Sequence, residues 1–247
     1  MMIIEVKDYQ EMSRKAAEYL IEKVRKIKNI NLGLATGGTP VGTYTNLIKD
    51  HKQNGTSYQG VTTFNLDEYV GLSGDNPNSY RYYMNDQLFN HIDIDKSNTY
   101  IPRGDAKYMQ KECTNYEKRL ADHGGIDLQI LGIGSNGHIG FNEPGTSFDS
   151  TTHIVDLALS TREANARYFN SLEEVPTKAI TMGISTIMKS KEILLLISGE
   201  NKSEALYNLL YGEVDERFPA SVLRNHPFVT IIADKAAAAT IKENSIY

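Results

Sequence analysis

The chain has almost no cysteine: Cys113 is the single one in 247 residues. One thiol cannot close an internal disulfide, which excludes a disulfide-stapled secreted scaffold and fits a reducing compartment. No apolar run reaches the ~20 residues of a membrane span. The N-terminal Met-Met-Ile-Ile meets a charge at Glu5, so no signal-peptide core forms there. Basic tracts are missing too. With 31 acids against 26 bases, the net charge of −5 argues against nucleic-acid or membrane-surface binding. An anionic ligand would need a local site built from backbone N–H groups and a few Arg or Lys side chains. A cytoplasmic protein is expected.

Several familiar chemistries lack their residues. There is no H-E-x-x-H and no paired Cys-x-x-Cys, so no zinc site is expected. The nucleophile elbow G-x-S-x-G is absent, and no Gly-Lys-Ser/Thr follows a glycine-rich turn as a P-loop would require. Repeats and low-complexity linkers are absent as well.

What remains is a regular alternation. Residues 31–36, 62–67, 128–134, 179–184, 192–198 and 229–234 read as buried strands. Residues 9–27, 41–54, 79–89, 106–123, 202–211 and 235–243 read as helices between and after them. Strands apolar on both faces suit a parallel sheet covered on each side. The pattern predicts a single α/β domain over residues 1–247, a doubly wound, mostly parallel open sheet with helices on both faces, Rossmann-like in style.

Ligands in such sheets sit beyond the carboxyl ends of the strands. Three strand ends stand out. The first is Thr36-Gly37-Gly38-Thr39-Pro40. Its two glycines permit close backbone approach, and N–H groups at a helix start favour an anion such as phosphate, the plain alternative being an ordinary βα turn. The second carries Asp67, a carboxylate where desolvation would raise the pKa toward that of a general base. Glu68 is its rival, and a helix cap or salt-bridge partner is the bland alternative. The third, Gly132 to Gly137, matches G-x-G-x-x-G with Asp156 about 20 residues on. A dinucleotide fingerprint must open into a helix, however, and Gly140, Pro144 and Gly145 make the following residues a loop.

Within that loop His138 is the one histidine of six set in a glycine-rich strand end, and Glu143 follows five residues later. A carboxylate near an imidazole orients the ring and builds an acid–base pair. The other histidines, His51, His91, His123, His153 and His226, read as surface or packing residues. Arg167 and Lys202 are cationic candidates for a phosphate, set against the plainer reading of solvated surface charge.

Taken together, LGLATGGTP, FNLDEYVGL, NPNSYRYYM, LGIGSNGHIGFNEPGTSF, STREANARYF, AITMGI, LLLISGENK and FPASVLRNH resemble the glucosamine-6-phosphate deaminases, also called glucosamine-6-phosphate isomerases. The runs keep the family's order from Leu32 to His226. The resemblance implies conversion of glucosamine 6-phosphate and water to fructose 6-phosphate and ammonia, with no cofactor and no metal. It implies that Asp67 moves the C2 proton to C1 through an enolamine, that His138 opens the sugar ring, and that Glu143 holds His138. It also implies a phosphate grip by Thr36, Gly37, Gly38, Thr39, Arg167 and Lys202, while the Ser- and Thr-containing residues 145–164 are the candidate for a mobile lid.

The sequence departs from the family's larger members twice. They carry Asp where Asn136 stands, two residues before the histidine, so Asn136 holds the place of a charged partner without the charge. They also carry basic residues where this chain has Ser150-Thr151-Thr152-His153-Ile154-Val155, so an allosteric site for an N-acetyl sugar phosphate is expected to be absent. The small-molecule substrate is the expected partner, in a monomer or a homo-oligomer. The rivals are a 6-phosphogluconolactonase, which would continue differently after the histidine, and a sugar-phosphate sensor, which would need a fused DNA-binding segment.

Overall fold

Each of the six apolar runs contributes strand residues, but these divide between two sheets. In the computed structural model, which describes residues 1–244, seven strands form one wholly parallel sheet. They are β1 (Met2–Val6), β2 (Asn31–Leu34), β3 (Thr62–Asn65), β5 (Thr99–Tyr100), β6 (Leu128–Leu131), β9 (Glu192–Ile197) and β10 (Val229–Asp234). Their spatial order is β1-β10-β9-β6-β2-β3-β5. A second, antiparallel sheet joins β4 (Asp67–Tyr69), β8 (Lys178–Thr181) and β7 (His153–Asp156) in the order β4-β8-β7.

The main helices are α1 (Tyr9–Lys26), α2 (Val41–Asn54), α3 (Tyr80–Gln87), α4 (Met109–Asp122) and α7 (Ser203–Tyr211). They cover both faces of the parallel sheet. On one face Leu34, Ile130, Leu194 and Ile232 pack with Met12 and Leu20 of α1, Tyr44 and Leu47 of α2 and Met84 of α3. On the other, Phe64, Ile193, Leu195 and Ile231 pack with Tyr116 and Leu120 of α4 and Leu206 and Leu209 of α7. The doubly wound sheet is as the apolar pattern requires. Among the described residues no helix is long and apolar enough to cross a membrane.

Three readings of the sequence need correction. Residues 179–184 do not belong to the parallel sheet: Lys178–Thr181 pairs antiparallel with both its neighbours. The run 62–67 is not one strand. The chain turns at Leu66, whose N–H still donates to Leu34 O at 3.2 Å while its carbonyl accepts from Met182 N at 2.7 Å, so Leu66 joins the two sheets. The last helix, α8, starts only at Ala239 (Ala239–Asn244). Residues 145–164 contain β7 and the start of α5 (Leu159–Asn165), and α6 (Ile184–Met188) follows β8. Edge strand β1 escapes the pattern because most of its residues are exposed.

From β2 the chain moves out through β3 to β5, then returns to β6 on the other side of β2. The order therefore reverses between β2 and β6. In an open α/β sheet that switch point opens a crevice beyond the strand ends.

Candidate active site

The β2 turn lines one side of this crevice. Three tyrosine hydroxyls hold it by its carbonyls: Tyr44 donates to Ala35 O at 2.5 Å, Tyr83 to Gly37 O at 2.6 Å and Tyr9 to Gly38 O at 3.0 Å. Gly37 takes φ +90°, a conformation that favours glycine. With these carbonyls taken, the N–H groups of Gly37, Gly38 and Thr39 have no acceptor among the described residues. Donors fixed in this way at the start of α2 suit an anion.

Asp67 opens β4 directly after the Leu66 joint and is 7% exposed. Burial, reinforced by the neighbouring Glu68 carboxyl, raises its pKa to about 8. Glu68 is buried as well, and burial lifts it to about 7. Its oxygens are engaged, however: they accept from the N–H groups of Tyr69 (2.8 Å), Tyr80 (2.9 Å) and Arg81 (3.0 Å). Glu68 thus binds the first turn of α3, beside the cap Ser79, whose hydroxyl accepts from Tyr82 N at 3.0 Å. Successive strand residues face opposite ways, and it is Glu68, not Asp67, that takes the helix-capping role weighed as Asp67's plain alternative.

Loop 132–145 comes off β6 and is anchored to β8. Asn142 donates from its amide to Ile139 O (2.8 Å) and Met182 O (2.9 Å), and Phe141 N donates to the Thr181 hydroxyl at 3.1 Å. Thr181 is the register partner of Asp67. The loop is brought beside Asp67 in this way: a Cβ placed on Gly140 would lie 3.7 Å from Asp67 Oδ2.

Two of the glycines that resembled a nucleotide fingerprint make room for side chains, one of them for His138. A Cβ on Gly134 would lie 2.2 Å from the imidazole, so only glycine lets the ring fold back there. Gly137 takes φ +83°, and its Cβ would meet the Phe218 ring at 2.4 Å.

His138, Asn136 and Glu143 form a chain of hydrogen bonds. Asn136 Nδ2 donates to Glu143 Oε2 at 2.7 Å, and Asn136 Oδ1 lies 2.7 Å from His138 Nδ1. A carboxylate only accepts, so Glu143 fixes which way the Asn136 amide points. The carbonyl end then faces Nδ1, which must carry the proton. The neutral ring therefore presents Nε2 as its basic nitrogen. Burial pulls the imidazole below the ordinary histidine range, against the pull of Glu143, and the Lys202 ammonium adds to the lowering. The second oxygen of Glu143 accepts from the Thr161 hydroxyl at 2.7 Å.

Lys202 closes the 3-10 turn Glu200–Lys202 after β9, and burial lowers its pKa. The turn hangs on Asp234, the last residue of β10. The Asp234 carboxylate accepts from the Ser198 hydroxyl, from Gly199 N at 3.1 Å and from Ala237 N at 2.8 Å. Arg167 is exposed in the 3-10 turn Ala166–Tyr168, directly after α5. The remaining histidines each have a ring nitrogen against a backbone carbonyl: His51 on Thr56, His91 on Asp86, His123 on Arg119, His153 on Thr151 and His226 on Ser190. Thr161, Thr181, Phe218 and Asp234 went unnoticed in the sequence. Only Asp234 carried a signal there, as an acid ending a strand like Asp67.

Comparison with known proteins follows the same lines. The family model described as glucosamine-6-phosphate isomerases/6-phosphogluconolactonase matches residues 7–232. The glucosamine-6-phosphate deaminase of Halalkalibacterium halodurans is 60% identical over 245 residues, 99% of this chain and 100% of that protein. The solved structure of a monomeric glucosamine-6-phosphate deaminase superposes with a TM-score of 0.95 at 53% identity, covering 97% of this chain and 99% of that one. A 6-phosphogluconolactonase from Thermotoga maritima shares the fold, at a TM-score of 0.71 and 21% identity over 95% of this chain and 99% of that one. With the family model over residues 7–232, full-length identity and the superposed fold all in agreement, the chain belongs to the glucosamine-6-phosphate isomerase/6-phosphogluconolactonase family.

Proposed function

We propose that the chain converts glucosamine 6-phosphate and water to fructose 6-phosphate and ammonia. The observation that carries this reading is that two different proton-transfer groups stand on adjoining segments. Asp67 is a buried carboxyl raised to about 8, and it lies against the loop whose His138 is held as a neutral base. Ring opening needs a proton moved from the O1 hydroxyl to the ring oxygen, which suits Nε2 of His138. Isomerisation needs a base at C2. Asp67 in its carboxylate form takes that proton, the C2 electron pair forms the enolamine, and the proton returns to C1. Water then adds to C2 of the imine and ammonia leaves. The residues Thr36, Gly37, Gly38, Thr39 and Lys202 fit a phosphate placed at the helix start, with Arg167 as a further cationic candidate. Binding energy gathered there, remote from the bonds that change, positions C1 and C2 for the chemistry.

Residues 145–164 fit a lid over this crevice, since Leu159 at the start of α5 is 59% exposed and has apolar surface left to bury. The solved deaminase that superposes so closely is monomeric, and this supports a monomer here. The single cysteine, buried and free, supports a cytoplasmic setting.

Ammonia release from glucosamine 6-phosphate by wild type, Asp67→Asn and His138→Gln tests the reading. Each substitution should lower kcat by on the order of a hundredfold or more. An Asp67→Asn chain at the wild-type rate would sink the mechanism. Lactone hydrolysis without ammonia release would move the chain to the other branch of its family.

A further inference from the structure

Glu143 accepts from two directions. Its Oε2 takes the Asn136 amide at 2.7 Å, while Oε1 takes the Thr161 hydroxyl at 2.7 Å. Thr161 lies on α5, eighteen residues from Glu143. The rest of this segment is fastened elsewhere. Arg162, its neighbour, donates to Leu172 O at 2.8 Å and Val175 O at 3.0 Å. Thr152 is held by Glu117, through its N–H at 2.8 Å and its hydroxyl at 2.6 Å, and Gly145 N donates to Glu216 O at 2.8 Å. The Thr161 hydroxyl therefore joins α5 to the hydrogen-bond chain that ends on His138.

This bond selects one arrangement of Glu143 over a close competitor. Glu143 Oε2 already lies 3.7 Å from His138 Nδ1. Without a donor on Oε1, the carboxylate is free to rotate and take Nδ1 directly. Asn136 would lose its place and the ring would turn with the new bond. A carboxylate held by a donor on each oxygen has no such freedom.

We propose that Thr161 is a positioning residue for ring opening: its hydroxyl, delivered by α5, locks Glu143 so that Asn136 alone orients His138. The proposal rests on the roles given above to His138 and Glu143. It makes the seating of α5 over the crevice a condition for the aligned imidazole.

The experiment measures kcat and KM for ammonia release by Thr161→Val, Thr161→Ser, Glu143→Gln and the double variant Thr161→Val/Glu143→Gln, with thermal melts to confirm folding. Thr161→Val, nearly the same size, should lower kcat about tenfold, the scale of a hydrogen bond to a charged acceptor, with KM within about twofold of wild type. Thr161→Ser should recover most of the loss. In the Glu143→Gln background Thr161→Val should cost less than about twofold, because the two act as one unit. A wild-type kcat for Thr161→Val alongside a crippled Glu143→Gln overturns the inference and leaves the mechanism standing. Equal losses in both backgrounds, or a change confined to KM, overturn it as well. A Glu143→Gln chain at the wild-type rate overturns the role of Glu143 itself, and the inference with it.

Discussion

Burial and the nearby Glu68 carboxyl hold Asp67 at about 8, so at neutral pH the folded chain keeps a proton that the unfolded chain gives up. Below about pH 4 both states are protonated and the group has no effect on stability. As pH rises from there to about 8, only the unfolded state ionises, and stability falls; above about 8 the loss is complete. Asp67→Asn removes the effect. It should be more stable than wild type at pH 7, by up to about 4 kcal/mol, with the gap closing toward pH 4 in urea unfolding. The base needs its carboxylate form, so the acid limb of kcat/KM should fall near pH 8 in the same wild-type protein. The sequence places Asp67 and Glu68 side by side at a strand end, and that much is legible. Which of them faces the crevice depends on how the chain turns at Leu66, a tertiary event. The histidine is a clearer case, since loop glycines around one imidazole have few structural uses. Thr161 left no trace, because a single threonine in STREANARYF looks like any helix-surface hydroxyl.

The turn after β9 owes its shape to a side chain on another strand. Asp234 binds the Gly199 N–H and the Ser198 hydroxyl, and Gly199 takes φ +97° before the chain reaches Lys202. Asp234→Asn keeps the size but loses the charge and part of the acceptor capacity. It should loosen the seat of Lys202, raising KM about threefold to tenfold while kcat stays within about twofold, as expected when binding is lost equally in ground and transition states. Steady-state kinetics with glucosamine 6-phosphate reads both numbers. Among the elements, the five long helices and the five buried central strands of the parallel sheet were readable because period and burial agree there. The small antiparallel sheet was not. Buried β-branched runs such as AITM look alike whichever way their neighbours run. The strand β7 was hidden in a polar stretch, being only partly buried and exposed at Asp156.

The molecule as a whole offers no cation in the stretch where larger relatives are expected to bind an activator. Thr152 is buried and spends its hydroxyl on Glu117, which also accepts from Thr186 at 2.6 Å. The Ser150 hydroxyl accepts from Ile184 N at 3.0 Å. Hydroxyls already engaged, two of them on the Glu117 carboxylate, give an incoming phosphate no cation to pair with. Rate against glucosamine 6-phosphate should be hyperbolic, and N-acetylglucosamine 6-phosphate should leave it unchanged. A sigmoidal curve made hyperbolic by that compound would contradict the expectation.

The outermost strand has a consequence for the order of events at the ribosome. The partner of β1 in the sheet is β10, far along the chain, with Met2 opposite Thr230 and Val6 opposite Asp234. At roughly 5–20 residues per second, β1 waits for on the order of ten to fifty seconds before that partner exists. The pairs β2–β3 and β2–β6, closer in sequence, have both partners available earlier. Closure of the sheet at β1 therefore has to wait until β10 has been made.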